Sequence, residues 1–209
     1  TAKILDVMAE AGNRGGFEVR DMARQFPSLT ANMAALDERG VPAVANLSAA
    51  LQVAMHTAGG ADEAGNNIKN LLDKINSPAT INKFKKNFGV DLPAEMEKFR
   101  SKGMSSLEAI AIITDDVLGG DLKKLGFVFE DAQARKGLLA MMQNLDEFRE
   151  IRDAALSADG TVDIAFDMRM RNDPTAKLQA AKTEAKNLAL TVGGALLPAI
   201  GWASEKFEA

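Results

Sequence analysis

His56 is the single histidine of this 209-residue chain, and cysteine is absent. That excludes histidine clusters, thiolate-held zinc or iron and any disulfide framework, and leaves room for at most one histidine-dependent nucleophile. No motif supplies His56 with a partner, so it reads as a residue on a helix face. The run Asp159-Gly160-Thr161-Val162-Asp163 resembles part of a calcium loop. It lacks the alternating oxygen ligands ahead of the glycine and the terminal glutamate that a cation needs, and it reads as a turn. The pairs Gly15-Gly16 and Gly59-Gly60 follow no strand and precede no Lys-Ser/Thr, so they are chain joints and not phosphate cradles. Carboxylates are numerous, but no local pattern selects two of them to flank a glycosidic bond. Lys83, Lys85 and Lys86, beside Phe84 and Phe88, form the densest basic cluster; it reads as a solvated helix face, not a nucleic-acid patch. The residues therefore point to no catalytic, cofactor-binding or metal-ligating set, and to a protein that is not an enzyme.

What remains is the scaffold. A chain of this length can bury roughly 70% of its unfolded surface, enough for a core without covalent staples. Apolar residues make up 46% and charged residues 26%, which is a globular composition. With no Tyr, one Trp and ten Met, the core must be filled by Ala, Leu and Met, residues that favour helices and adaptable packing. The net charge of -4 comes from 25 basic and 29 acidic residues interspersed along the chain, so no broad positive field attracts a polyanion. The first residues carry no secretion signal. The opening at Thr1 and the helical pattern at the end suggest a piece of a longer protein.

Punctuation divides the chain into short helices. Residues 1–11 end at Gly12, Asn13, Gly15 and Gly16. Residues 17–26 are expected to stop at Pro27, and 28–38 to form a separate helix ending at Gly40. Val44, Leu47, Leu51, Ala54 and Met55 mark an amphipathic helix. Ala61, Ala64, Ile68, Leu71, Leu72 and Ile75 give the cleanest stripe, with Asn66, Asn67, Lys69, Asn70 and Lys74 off it. Ser77-Pro78 starts a helix to Phe88, and Pro93 to Lys102 forms another, closed by Gly103. Ser105 with Glu108 predicts a reciprocal capping box for 107–118. Residues 122–129 are too short for the period to separate strand from helix. The spacing of Leu138, Met141, Met142, Leu145, Phe148, Ile151 and Ala155 predicts one long core helix over 130–158, with Gly137 interrupting it. Beyond a turn at Asp159-Gly160-Thr161, residues 163–171 form a short helix. A long stripe then runs from Leu178 to Ala199, with a kink expected from Gly193, Gly194 and Pro198. No period-two segment predicts a sheet.

The expected fold is thus all-α, a compact multi-helix array of short and medium amphipathic helices ending in a long C-terminal helix. A helical core domain would occupy residues 1–172, and a C-terminal helix leading onward 173–209.

Two stretches carry a resemblance: Ala58-Gly59-Gly60-Ala61-Asp62-Glu63-Ala64-Gly65 running into Ile68-Lys69-Asn70-Leu71-Leu72, and Phe127-Val128-Phe129-Glu130-Asp131-Ala132-Gln133-Ala134 running into Gly137-Leu138-Leu139. With the Phe88-Gly89-Val90-Asp91-Leu92 joint between them and Leu196-Leu197-Pro198-Ala199-Ile200 after them, they resemble the core region of bacteriophage tail tape measure proteins. The resemblance implies a structural ruler and scaffold that sets tail length during virion assembly and assists genome delivery. It would reside in the host bacterial cytoplasm before assembly and in the tail lumen afterwards, with the tail tube protein and tail assembly chaperones as partners. It also implies that Gly59, Gly60 and Gly65 are helix joints, that Ala64, Leu71 and Leu72 are packing positions, and that Phe129, Ala134 and Gly137 are structural motif positions; none is a binding residue.

One competing reading is a membrane-active helical module. Residues 187–204 carry no charge and would span about 27 Å as a helix, near a bilayer core, though Asn187, Thr191, Ser204 and glycines dilute the apolarity. Packing of the Leu188–Trp202 face on a neighbouring helix or a second copy of the chain is the simpler expectation. A helical enzyme domain of unknown chemistry is a third reading, with no motif behind it.

Overall fold

Where the sequence sets a short polar side chain ahead of an apolar run, a helix starts, because that side chain occupies one of the orphan amides of the first turn. In the computed structural model, which describes residues 2–162 and 164, Ser77 accepts from the Thr80 N–H, Asp91 from Ala94, Ser105 from Glu108 and Asp131 from Ala134. At the other end, Gly89 and Gly119 adopt the left-handed conformation that closes two of these helices.

The described residues hold nine α-helices and no strand: α1 (Ala2–Gly12), α2 (Val19–Ala35), α3 (Gly40–Ala54), α4 (Ala61–Ile75), α5 (Pro78–Phe88), α6 (Leu92–Arg100), α7 (Ser106–Leu118), α8 (Ala132–Gln143) and α9 (Leu145–Ser157). Short 3-10 turns cover Met55–Thr57 and Leu122–Phe127; the second settles the segment whose period was ambiguous. The protein is all-α, and Thr1–Thr161 forms one compact unit. The expected long C-terminal helix of 173–209, its kink and the uncharged run 187–204 lie outside the described residues. Among the described residues, no helix is long and apolar enough to cross a membrane.

The centre of the unit is α3, which touches α1, α2, α4, α8 and α9. The sequence suggested an amphipathic helix there, but every residue from Ala43 to Ala54 is buried. Ala45, Ala49, Ala50 and Ala54 let neighbours approach on every side, and the interposed polar residues Asn46, Ser48 and Gln52 are buried with them. A helix surrounded on all sides cannot keep a polar face.

Three other expectations are corrected. Pro27 does not divide α2, which runs through it. The buried residues Met22, Phe26, Leu29 and Met33 continue across the proline, which itself faces solvent. Ser28 Oγ donates to the Gln25 carbonyl and Thr30 Oγ1 to that of Phe26, tying the residues after the proline back to carbonyls before it. The long helix over 130–158 is two helices, broken at Asn144 and not at Gly137. Asn144 turns its own amide and its side-chain Nδ2 onto the single carbonyl of Ala140, at 3.1 and 2.9 Å. That side-chain competition ends α8, and Asp146 and Glu147 favour the positive N-terminal turn of α9. The capping box is half formed: Ser105 caps, but the Glu108 carboxylate turns away to arginines of α9. Glu38, from the α2–α3 loop, satisfies another amide of the first turn, accepting the Ser106 N–H at 2.6 Å.

Candidate functional site

The motif positions lie on α4 and α8 or just ahead of them, and these two helices form a seam that is the most extensive helix contact of the unit. Ala64, Leu71 and Ala134 are fully buried, and Leu72 and Phe129 nearly so. Gly137 explains the closeness of the two helices. A methyl group there would sit 2.7 Å from the Asn67 carbonyl oxygen and 3.0 Å from its carbon, distances that rigid backbone does not permit. Asn67, placed off the stripe by its polarity, is consequently covered by α8 and wholly buried. Gly65 is not a joint. It lies inside α4, and its missing Cβ leaves space for the end of Gln25, whose Nε2 donates to the Ala61 carbonyl at 3.1 Å.

At the head of the seam, Gly59 donates its N–H to Glu63 at 2.8 Å, and Lys136 of α8 reaches the same carboxylate at 2.6 Å. The Lys136 hydrogen bond, and then that of Gly59, hold the Glu63 carboxyl below the usual glutamate range. Gly60 is the cap residue of α4 in extended backbone with open space around its Cα; its conformation is one any residue adopts. On the far side, Lys83 of α5 pairs with Glu130 at 2.8 Å and lowers that carboxyl too.

Sequence reasoning missed two polar anchors. Glu108, 3% exposed, receives Arg149 Nε and Arg152 NH1, each at 2.7 Å. Burial opposes the charge on Arg152, but its bond to Asp153 and the carboxylates of Glu108 and Asp153 outweigh that and raise its pKa. Gln52, 2% exposed, accepts the Phe17 N–H at 2.9 Å and donates to the carbonyls of Ala11 and Phe17 at 2.9 and 2.7 Å. One amide of the central helix thereby closes the α1–α2 joint. Neither anchor has a local signal, since its partners lie dozens of positions away.

His56 sits in the Met55–Thr57 turn, exposed, with Nε2 2.9 Å from Glu147 Oε2. Among the described residues, no group of three His, Cys, Asp or Glu side chains could hold a metal ion. A hollow of about 410 Å³ between α4, α5 and the 128–131 loop carries Lys74 and Lys83 against Glu130 and Asp131, so its charges cancel. Lys85 and Lys86 fall in the last turn of α5, where the helix dipole favours cations.

The chain is similar, at 32% identity over 92% of its length, to a probable tape measure protein of Burkholderia phage BcepMu. It is a homologue of part of that probable tape measure protein. The match covers 26% of that relative, so the chain spans about a quarter of the length of the protein it resembles. No protein-family model and no solved structure matches the chain. The match takes in both motif stretches and the α4–α8 seam.

Proposed function

We propose that this chain is a structural segment of a tape measure protein, a ruler and scaffold that sets tail length as the tail tube polymerises and that leaves with the genome at infection. The observation that carries this reading is the 32% identity, sustained over 92% of the chain, to a probable phage tape measure protein. The buried all-helical core, with its polar residues engaged in caps, joints and ion pairs, suits a mechanical role, and among the described residues no cleft brings reactive groups together. The partners on this reading are the tail tube protein and tail assembly chaperones. The host cytoplasm is the location before assembly, and the tail lumen the location after it. Gly59, Gly60, Ala64, Gly65, Leu71, Leu72, Phe129, Ala134 and Gly137 act as packing and joint positions.

Purified tails of a phage or prophage encoding the chain provide the test. Its peptides should be found in intact tails and resist external protease until the tube is disrupted. Absence from tails, or cleavage on intact tails, would reject the lumenal ruler.

A further inference from the structure

The first and last helices of the compact unit lie side by side in opposite directions. Near one end of the pair, Lys3 Nζ of α1 donates to the Ala158 carbonyl just beyond α9, and the Gly160 N–H donates to Asp6 at 3.2 Å. Near the other end, Arg14 just past α1 reaches Glu150 in the first half of α9 at 3.7 Å. The apolar residues Val7, Ala11, Ile151 and Ala155, buried in the common core, back the two helices. The polypeptide therefore arrives at α1 and departs after the 158–160 turn from the same place.

This matters for a ruler. As a continuous helix, residues 3–158 would reach about 230 Å at about 1.5 Å per residue. As the folded unit, with a radius of gyration of roughly 15 Å for its size, the same residues add almost nothing along the axis, because entry and exit coincide. Building on the ruler reading above, we infer that residues 2–162 are a length-neutral module. They stay folded in the assembled tail, and the tape passes them without their counting toward tail length.

Two arms test this. The first joins Ala2 to Asp159 in the gene, alongside a control deletion of an equal number of residues elsewhere in the tape, and measures tails by electron microscopy. The module predicts no shortening for the first deletion, while the ruler predicts about 230 Å for the control. Shortening by about 230 Å in both would overturn the module and leave the ruler standing. No shortening in either would reject the ruler and the length-neutral reading with it, leaving the second arm to report only whether the unit stays folded. That arm, which also decides the matter if the deletion yields no tails, uses the absence of cysteine from these 209 residues, with the cross-linked peptide identified by mass spectrometry. Lys3→Cys with Asp159→Cys is treated with a short bis-maleimide, both as isolated chain and in purified tails. An intrachain cross-link in both supports the module. A cross-link in the isolated chain that is lost in tails would overturn it, since the two positions would then have moved apart on assembly.

Discussion

Replacing Gln52 by Leu keeps most of the side-chain volume and removes only its amide. In the folded chain that amide satisfies the Phe17 N–H and the carbonyls of Phe17 and Ala11. The Ala11 carbonyl would keep the Arg14 N–H at 3.1 Å. The two groups of Phe17 would have no such substitute, and the Phe17 residue is fully buried. A stranded buried donor or acceptor costs about 1–3 kcal/mol, so the variant should lose about 4 kcal/mol. For a unit of this size that corresponds to a fall in Tm of roughly 8–16 °C. Thermal unfolding followed by circular dichroism at the helix band supplies the number, and hydrogen exchange should show residues 13–18 losing protection before α4 and α8 do. A fall of less than about 3 °C, or exchange that is unchanged in the joint, would refute the claim that the central helix holds the α1–α2 connection through this amide.

Gly137→Ala should cost about 1–3 kcal/mol or more in denaturant titrations, because the added methyl meets backbone. Gly65→Ala should cost about 1 kcal/mol or less, since only the flexible end of Gln25 has to move; equal losses would mean the α4–α8 spacing is not set at Gly137. Glu108→Gln should lose about 3 kcal/mol, the low end for breaking a buried pair because Arg149 and Arg152 are partly exposed, and a neutral result would show that the α7–α9 contact does not depend on the charge. The lowered carboxyls of Glu63 and Glu130 contribute stability that is present above the ordinary glutamate pKa and is lost as pH falls through their lowered folded values. Carboxyl NMR titration should place Glu63 below free glutamate in the native chain and return it toward the ordinary value in Lys136→Met; an unmoved titration would dissociate Glu63 from Lys136.

The amino-acid sequence made the helix starts and stops legible wherever one residue decides them, as at Ser77, Ser105, Gly89 and Gly119. It misled where a local rule competed with the core. Pro27 looked like a boundary because proline removes one amide, yet burial of Phe26 and Leu29 on the same stripe keeps α2 whole. Asn144 looked unremarkable within an apolar period, and only its hydrogen bonds to Ala140 show why the helix ends there. The seam was visible as two motif stretches but not as a contact. Gly137 read as a weakness in one helix, when its function is to admit the backbone of another. Asn67 read as solvent-facing because polarity says nothing about which helix lands on top of it. The Glu108 ion pairs span 41 and 44 positions, a separation at which no spacing rule operates.

On the ruler reading, the folded unit of residues 2–162 is carried by a tape whose own number of residues sets tail length. A graded series of in-frame deletions and insertions in the encoding gene, placed outside residues 2–162 and read as tail length by electron microscopy, tests it most directly. A ruler gives a straight line, tails changing by about 1.5 Å for each residue removed or added. Tails of constant length across the series would contradict it.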